Sequence, residues 1–383
     1  MEKVTLDCDI ALAGGGLSAG LIAYALSQRH PELDLRIVDQ SEKLGGNHVW
    51  SFFDSDIAPE NRWIVEPLIC HRWEGYDVHF PAHSRTLNTV YNSIESDRLD
   101  EVLRAALPPG HILTGTVTDL GPSHISLADG RTISARLVVD ARGPGDLSVL
   151  QSGWQKFVGQ ALTIKGGHGL IRPIVMDATV PQLDGYRFVY CLPFDAQTVF
   201  VEDTYYSDTP DLDVPAIRAR IVEYADAKGW SVAQTGREET GVLPVIIGGN
   251  FRNYWKSSNQ NVEKAGLRAG LSQPVTGYSL PDAVRLAARF AADPHPKPGM
   301  TFEHAEQIWR ARGFYRMLDA MLFRAAEPQE RYRILQRFYG LSEGLITRFY
   351  AGHSTWADKL RVLAGKPPVP VGRAIRAILE KRQ

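Results

Sequence analysis

Apolar residues change their repeat from segment to segment along the chain, and each change marks an element. Residues 8–13, CDIALA, form an apolar run of strand length that ends directly in Gly14-Gly15-Gly16, and apolar positions at helical spacing continue from there through Leu26. After Pro31 comes a second strand-like run, Leu35-Arg36-Ile37-Val38-Asp39. Together these predict one βαβ unit. Residues 45–80, rich in Trp and His, show no period and are expected to be irregular. A helix is predicted over 95–107 with Ser96 as its capping residue. Short strands around 111–127 and 131–140 flank the hairpin turn Ala128-Asp129-Gly130, and the second ends at Val138-Val139-Asp140 before Arg142-Gly143-Pro144-Gly145.

From 155 to 247 the texture becomes strand-like, with runs at 186–192, 198–206 and 242–247 and one helix near 214–228. An inserted, mostly antiparallel sheet is expected there. Residues 266–280 are a Gly/Pro/Thr turn region before a helix over 281–292, and the Pro-rich 293–299 reads as a linker. The remainder to 363 is expected to be helical, with a second Pro-rich break at 367–370.

Composition narrows the class. At 383 residues, 44% hydrophobic and 22% charged, the chain is globular, which excludes disorder and rod-like folds. It is too long for one core, so two or three subdomains are expected. Cys8, Cys70 and Cys191 are far apart and odd in number, which argues against a disulfide framework or zinc cage and for a reducing, cytoplasmic compartment. His48 and His71 lack acids or cysteines at ligand spacing, so no metal is expected. The net charge of -2 hides an asymmetry: residues 301–383 carry 15 Lys and Arg against 8 Asp and Glu. With its aromatic and aliphatic content, this basic end points to an anionic membrane surface rather than nucleic acid. Residues 10–26 carry no charge, yet three glycines in a 17-residue stretch exclude a spanning helix.

Cofactor chemistry begins at Gly14-x-Gly16-x-x-Ala19, with Gly15 between the two glycines and Asp39 closing the next strand. Glycines let the backbone approach a pyrophosphate, the helix N-terminus meets its charge, and Asp39 is placed to accept from a ribose hydroxyl. Asp140 and Gly143 resemble the second dinucleotide contact of glutathione-reductase-type FAD folds, although Asp140 also suits a strand-end cap. Gly270-x-x-x-Pro274-x-x-Gly277-Tyr278, with Thr276 inside it, resembles the third contact, near the flavin ring. Many such flavoproteins carry Gly-Asp at this third patch; here Gly266-Leu267-Arg268-Ala269-Gly270 has no acid. The fold class expected is α/β (α+β): a Rossmann-type, glutathione-reductase-like FAD-binding fold with an inserted antiparallel sheet and a helical C-terminal region. The parts are a discontinuous FAD-binding domain over 1–150 and 260–299, a substrate sheet domain over 151–259, and a helical, basic region over 300–383.

Three further blocks carry a closer resemblance. Gly45-Gly46-Asn47-His48-Val49-Trp50-Ser51-Phe52, Phe200-Val201-Glu202-Asp203-Thr204, and Leu267-Arg268-Ala269-Gly270 leading into Pro274-x-Thr276-Gly277-Tyr278-Ser279-Leu280-Pro281 resemble the bacterial lycopene beta-cyclases in order and spacing over most of the chain. That resemblance implies redox-neutral ring closure at the ends of linear lycopene. It further implies an FAD that acts reduced, with NAD(P)H as its reductant, and peripheral attachment to the membrane holding the carotenoid. The oligomeric state stays open.

Such ring closure needs an acid that protonates an alkene, a tertiary cation captured by the neighbouring double bond, and loss of a proton. A glutamic acid with its ordinary pKa of about 4.3 is ionised at neutral pH and cannot donate, so its site must be dry. On a strand, Phe200, Glu202, Thr204 and Tyr206 share one face while Val201, Asp203 and Tyr205 share the other. Glu202 is the first candidate donor because Phe200 and Tyr206 accompany it, and Asp203 is the second; a solvent-facing acid or an ion-pair partner is the bland alternative for each. An anionic flavin about 4 Å from the cation would contribute about 4 kcal/mol at an effective dielectric near 20. Two competing readings share the cofactor motifs: a redox monooxygenase or reductase of an isoprenoid, and a non-catalytic isoprenoid or lipid carrier.

Overall fold

The computed structural model describes residues 5–365 and 371–380. The expected Pro-rich break at 367–370 lies outside the described residues. Thr5–Ala13 and Leu35–Asp39 are parallel neighbours joined by the helix Leu17–Arg29, which gives the predicted βαβ unit. Their sheet extends to Ile112–Thr114 on one side and to Thr132–Asp140 on the other, all parallel, and it is finished by the antiparallel strands His124–Leu127 and Val117–Gly121. Glu263–Lys264 returns late in the chain to pair with Val139 and Asp140. Every apolar residue of the helix Leu17–Arg29 except Tyr24 is buried, so it is held between the sheet and the helices Leu280–Ala292 and Ser96–Ala106. A helix apolar all round belongs inside.

The second sheet runs in the order Val232–Gly249, Leu150–Ile164, Thr198–Ser207, Tyr186–Pro193, Ile174–Asp177, Tyr76–Phe80, His83–Leu87. All neighbours are antiparallel except Ile174–Asp177 with Tyr76–Phe80. One face packs under the helix Val214–Ala227 through Val158, Val201, Tyr205, Ile217 and Ile221. The other faces the C-terminal helices through Phe200, Tyr206, Leu322, Phe323 and Tyr350.

Two expectations need correcting, and the second sheet reaches beyond its expected span. Residues 45–80 are not irregular: they contain Val49–Phe53, His71–Trp73 and Tyr76–Phe80. The first two join Tyr91–Glu95 in a small three-stranded sheet. Tyr76–Phe80 does alternate, with Asp77 and His79 half-buried between buried apolar residues, while Val49–Phe53 and His71–Trp73 are short and mostly half-buried, with no clean polar face. The hairpin Tyr76–Leu87 lies outside 151–259 in sequence yet belongs to the second sheet. Ser96 does not cap its helix: the cap is Glu95 without a side-chain bond, and Ser96 Oγ instead accepts from Arg237 Nη2 at 3.0 Å. Among the described residues, the α-helices that follow residue 299 are Met300–Ala311, Gly313–Arg324, Tyr332–Tyr339, Glu343–Tyr350, Trp356–Leu363 and Val371–Glu380.

Candidate active site

The three dinucleotide patches, drawn from residues 14–19, 140–143 and 270–278, converge through backbone contacts. Gly14 has φ +99°, and a Cβ there would stand 2.8 Å from Ala141 O, so only glycine lets the second patch come this close. Ala141 N donates to Ala13 O at 2.8 Å, and Gly45 N donates to Gly15 O at 2.9 Å. Gly16 caps the helix Leu17–Arg29 with no side chain on its N–H groups, and the space where a Cβ would project is open. Ala19 is buried one turn in. Asp39 Oδ2 accepts from Gly15 N at 2.6 Å and its Oδ1 from Ser41 N at 2.8 Å, so this acid organises the turn. Gly46 and Gly143 also have positive φ; the space beside Gly143 is open, and the His48 ring stands in contact with the position a Cβ would take at Gly46. A bare helix N-terminus beside open glycines is a cradle suited to a pyrophosphate.

Asp140 is buried and takes both Arg142 Nε, at 2.8 Å, and Arg142 Nη2, at 3.0 Å. Where an acid is customary in the third patch, Arg268 instead donates to Arg142 O at 3.0 Å and lies 3.5 Å from Asp140. The turn containing Pro274, Thr276, Gly277 and Tyr278 is held by Gln273, whose Oε1 accepts from Val275 N at 2.6 Å and Thr276 N at 3.1 Å. Tyr206 OH donates to Val275 O at 2.9 Å and so ties the second sheet to this patch.

Between the second sheet, the small three-stranded sheet and the turn region 266–280 lies a cavity of about 260 Å³ lined by Glu202 and, among others, Trp50, Tyr190, Thr276, Gly277 and Tyr278. A second cavity of about 260 Å³ meets it at Met176, Tyr206, Thr276 and Tyr350 and continues under the C-terminal helices past Leu318, Phe338 and Leu363. The second, apolar cavity thus runs alongside the first as a neighbouring passage.

Glu202 and Asp203 have opposite environments. Asp203 is fully buried on the face under the helix Val214–Ala227, held by Arg187 Nε at 2.8 Å and Nη2 at 3.0 Å and by Tyr205 OH at 2.8 Å. It does not reach the cavity and is not brought together with Glu202. Glu202 is accessible only in part, and what it sees is the cavity. Thr204 Oγ1 donates to its Oε1 at 2.6 Å. Burial, followed by the charge of Glu239, pushes the Glu202 carboxyl up to about 8 against the small opposing effect of Thr204. At neutral pH it carries its proton. Above it, Tyr190 OH donates to Ser51 Oγ at 2.8 Å, while Tyr91 OH lies 3.0 Å from both Tyr190 OH and Tyr278 OH.

Glu239 and Ser51 belong to this site, and sequence reasoning did not single them out. Gly159 pairs with Glu202 on one side and Glu239 on the other, so the two acids occupy one cross-strand row. Nothing in the spacing of 37 residues signals that row; it follows from the sheet order. Each histidine that lacked an acid at ligand spacing finds one distant in sequence: His48 Nδ1 lies 2.8 Å from Glu239 Oε1, and His71 Nε2 lies 3.0 Å from Glu95 Oε1. Of the tryptophans 50, 63 and 73, only Trp50 lines the cavity; Trp63 lies under Arg29, and Trp73 donates to Pro193 O at 3.3 Å.

A family model for lycopene cyclase proteins matches residues 9–376. The chain is 46% identical to a lycopene beta-cyclase of Pseudescherichia vulneris over 97% of both chains. It is 43% identical to one from Pantoea ananas over 97% of this chain and 98% of that one. Among solved structures, a geranylgeranyl bacteriochlorophyll reductase-like protein of Thermoplasma acidophilum superposes with a TM-score of 0.61 at 12% identity, covering 98% of this chain and 100% of that one. The flavin-dependent brominase Bmp2 gives 0.62 at 13% identity, covering 98% and 99%. At such identity these two show the α/β fold alone.

Proposed function

The chain belongs to the lycopene cyclase family, and we propose that it closes the ends of linear lycopene into β-ionone rings with no net change of oxidation state. What carries this reading is Glu202, whose burial pushes its carboxyl up to about 8, in a largely apolar cavity that shares part of its wall with a second, apolar one. Glu202 is the proton donor. Its proton goes to the terminal double bond, leaving a tertiary cation that the next double bond captures with formation of the ring bond. Tyr190, Tyr278 and Phe188 line the cavity, and their ring faces suit a cation. The apolar walls keep out water that would trap the cation as an alcohol. Asp203, held by Arg187, has a structural part.

The glycine cradle, Asp39, Asp140, Gly143 and the 274–278 turn are assigned to FAD, with Arg268 replacing the customary acid. Bound in its reduced form, with NAD(P)H as electron source, FAD supplies negative charge that favours the cation. We assign 1–150 and 260–299 to cofactor binding, 151–259 with the hairpin Tyr76–Leu87 to the substrate, and 300–383 to the membrane side. Supporting that last assignment, Trp356, Leu360 and Leu363 are 80%, 66% and 44% exposed on one side of the helix Trp356–Leu363, and Leu363 also lines the apolar passage. Among the described residues no helix is long and apolar enough to cross a membrane.

The test is anaerobic incubation with lycopene in liposomes and either oxidised or reduced FAD, followed by chromatography and mass spectrometry. Ring-closed product of unchanged mass, formed faster with reduced FAD, is expected. Gain of oxygen or hydrogen would establish a redox enzyme instead, and binding without conversion would establish a carrier.

A further inference from the structure

Ring closure moves two protons, one onto the substrate and one off it. Glu202 accounts for the first. The second leaves a ring carbon adjacent to the cation, and its electron pair becomes the ring double bond. A tertiary cation has several neighbouring C–H bonds, so the position of the acceptor selects which isomer forms.

Glu239 has the placement for an acceptor. It lies in the cross-strand row Glu239, Gly159, Glu202, Tyr190, all four presented on the cavity face. Residues paired across antiparallel strands project from the same face, and the single strand between the acids puts their backbones two inter-strand spacings, roughly 10 Å, apart, with both side chains lining one cavity. Gly159 puts no side chain between them; a Cβ there would stand 2.3 Å from the Phe200 ring, which fills the notch at the sheet surface. Glu239 is 3% exposed yet lines the cavity. Its Oε1 lies 2.8 Å from His48 Nδ1 and its Oε2 accepts from Val49 N at 3.0 Å.

The contrast with its neighbour is informative. Glu238 is held by Arg218 Nε at 2.7 Å and Nη2 at 2.5 Å, whereas no Lys or Arg among the described residues forms an ion pair with Glu239. A buried carboxylate whose one titratable partner is an imidazole is costly as scaffolding and well placed as a base. The His48 side chain is 45% exposed, so it connects the buried acid to water.

We propose that Glu239, backed by His48, accepts the proton released when the ring double bond forms. Resting on the cyclase reading above, the step balances as follows. The Glu202 O–H bond breaks and a C–H bond forms; the ring C–C bond forms; a second C–H bond breaks, its electron pair closes the double bond, and its proton passes to Glu239. His48 carries that proton to solvent, and water reprotonates Glu202 after product leaves. No electrons are exchanged.

Glu239→Gln removes the acceptor while keeping the side chain's shape. With lycopene in liposomes and reduced FAD, we expect about a hundredfold slower turnover and a shift from β-rings to isomers whose double bond is exocyclic or displaced. Glu239→Asp, which keeps a carboxylate one methylene shorter, is expected to restore β-rings in part. Solvent deuterium should still enter each ring once in both variants, since Glu202 delivers it. If the Gln variant fails to bind FAD or fold, the Asp variant and His48→Gln carry the same readout. Exclusive β-ring formation within threefold of the parent rate, in a folded Gln variant or in both substitutes, overturns the proposal. Failure of the parent chain to cyclise lycopene would instead overturn the reading beneath it.

Discussion

Adjacent acids on one strand have different chemistry because a strand turns successive side chains to opposite faces. Asp203 meets a guanidinium under a helix; Glu202 meets an apolar cavity and the charge of Glu239. The raised Glu202 pKa sets a pH window. The acid form is needed for protonation of the alkene, so kcat/KM should fall as pH rises through about 8. Stability moves with it. The folded state holds the proton more tightly than the unfolded chain, so this contribution is complete below about 4.5 and is lost as pH rises through about 8. Glu202→Gln removes the cost of the buried charge, up to about 4 kcal/mol at pH 8. It should abolish turnover while giving a higher Tm than the parent at pH 8, with the margin vanishing near pH 4.5; equal Tm values at pH 8 would contradict a desolvated acid. Asp203→Asn should do the reverse. Leaving Arg187 buried without a counter-charge costs about 3–5 kcal/mol, so Tm drops, while the folded variant keeps a pH profile centred on Glu202.

Elements were legible to different degrees, and the physics of each explains why. The βαβ unit was readable because strand, glycine turn, buried helix and strand-end acid follow one another within 40 residues, all local. The alternation of 198–206 correctly separated Glu202 from Asp203, since one face packs on a helix and the other lines a cavity. What escaped was non-local or lacked a period. Val49–Phe53 and Tyr91–Glu95 pair across 40 residues, and the row joining Glu202 to Glu239 exists only once Leu150–Ile164 has been threaded between their strands. Gly159 on that central strand looks unremarkable in sequence, yet it is the point where the row depends on an absent side chain. Gly159→Ala would force its Cβ against the buried Phe200 ring. Overpacking of this kind costs about 1–3 kcal/mol, and displacing Phe200 opens the floor beneath Glu202. A lower Tm together with a Glu202 titration shifted towards the ordinary carboxylate range is expected; a parent-like Tm would mean the notch has slack.

For the whole molecule, the arrangement matters more than any single site. The third dinucleotide patch lines the Glu202 cavity through Thr276, Gly277 and Tyr278, and the apolar passage adjoins that cavity at Thr276 and Tyr350, under helices whose outer surface carries Trp356, Leu360 and Leu363. Lys359 lies 5.3 Å from the Trp356 ring, so positive charge sits beside the apolar stripe, the combination that favours an anionic lipid surface. A hydrocarbon substrate has negligible concentration in water, so a cyclase must collect it from lipid, and a passage opening beside an inserted helix avoids any aqueous crossing. The stripe therefore matters for delivery and not for chemistry. Replacing Trp356 and Leu360 together by Ser should weaken co-sedimentation with anionic liposomes and lower turnover of liposomal lycopene at least tenfold. Turnover of lycopene dispersed in detergent should stay within twofold, because these two side chains are exposed and neither lines the passage. Equal losses in both assays would place the defect in folding or in the passage. Undiminished turnover from liposomes would show that the substrate enters elsewhere, and the basic C-terminal helices would then be scaffold for the second sheet.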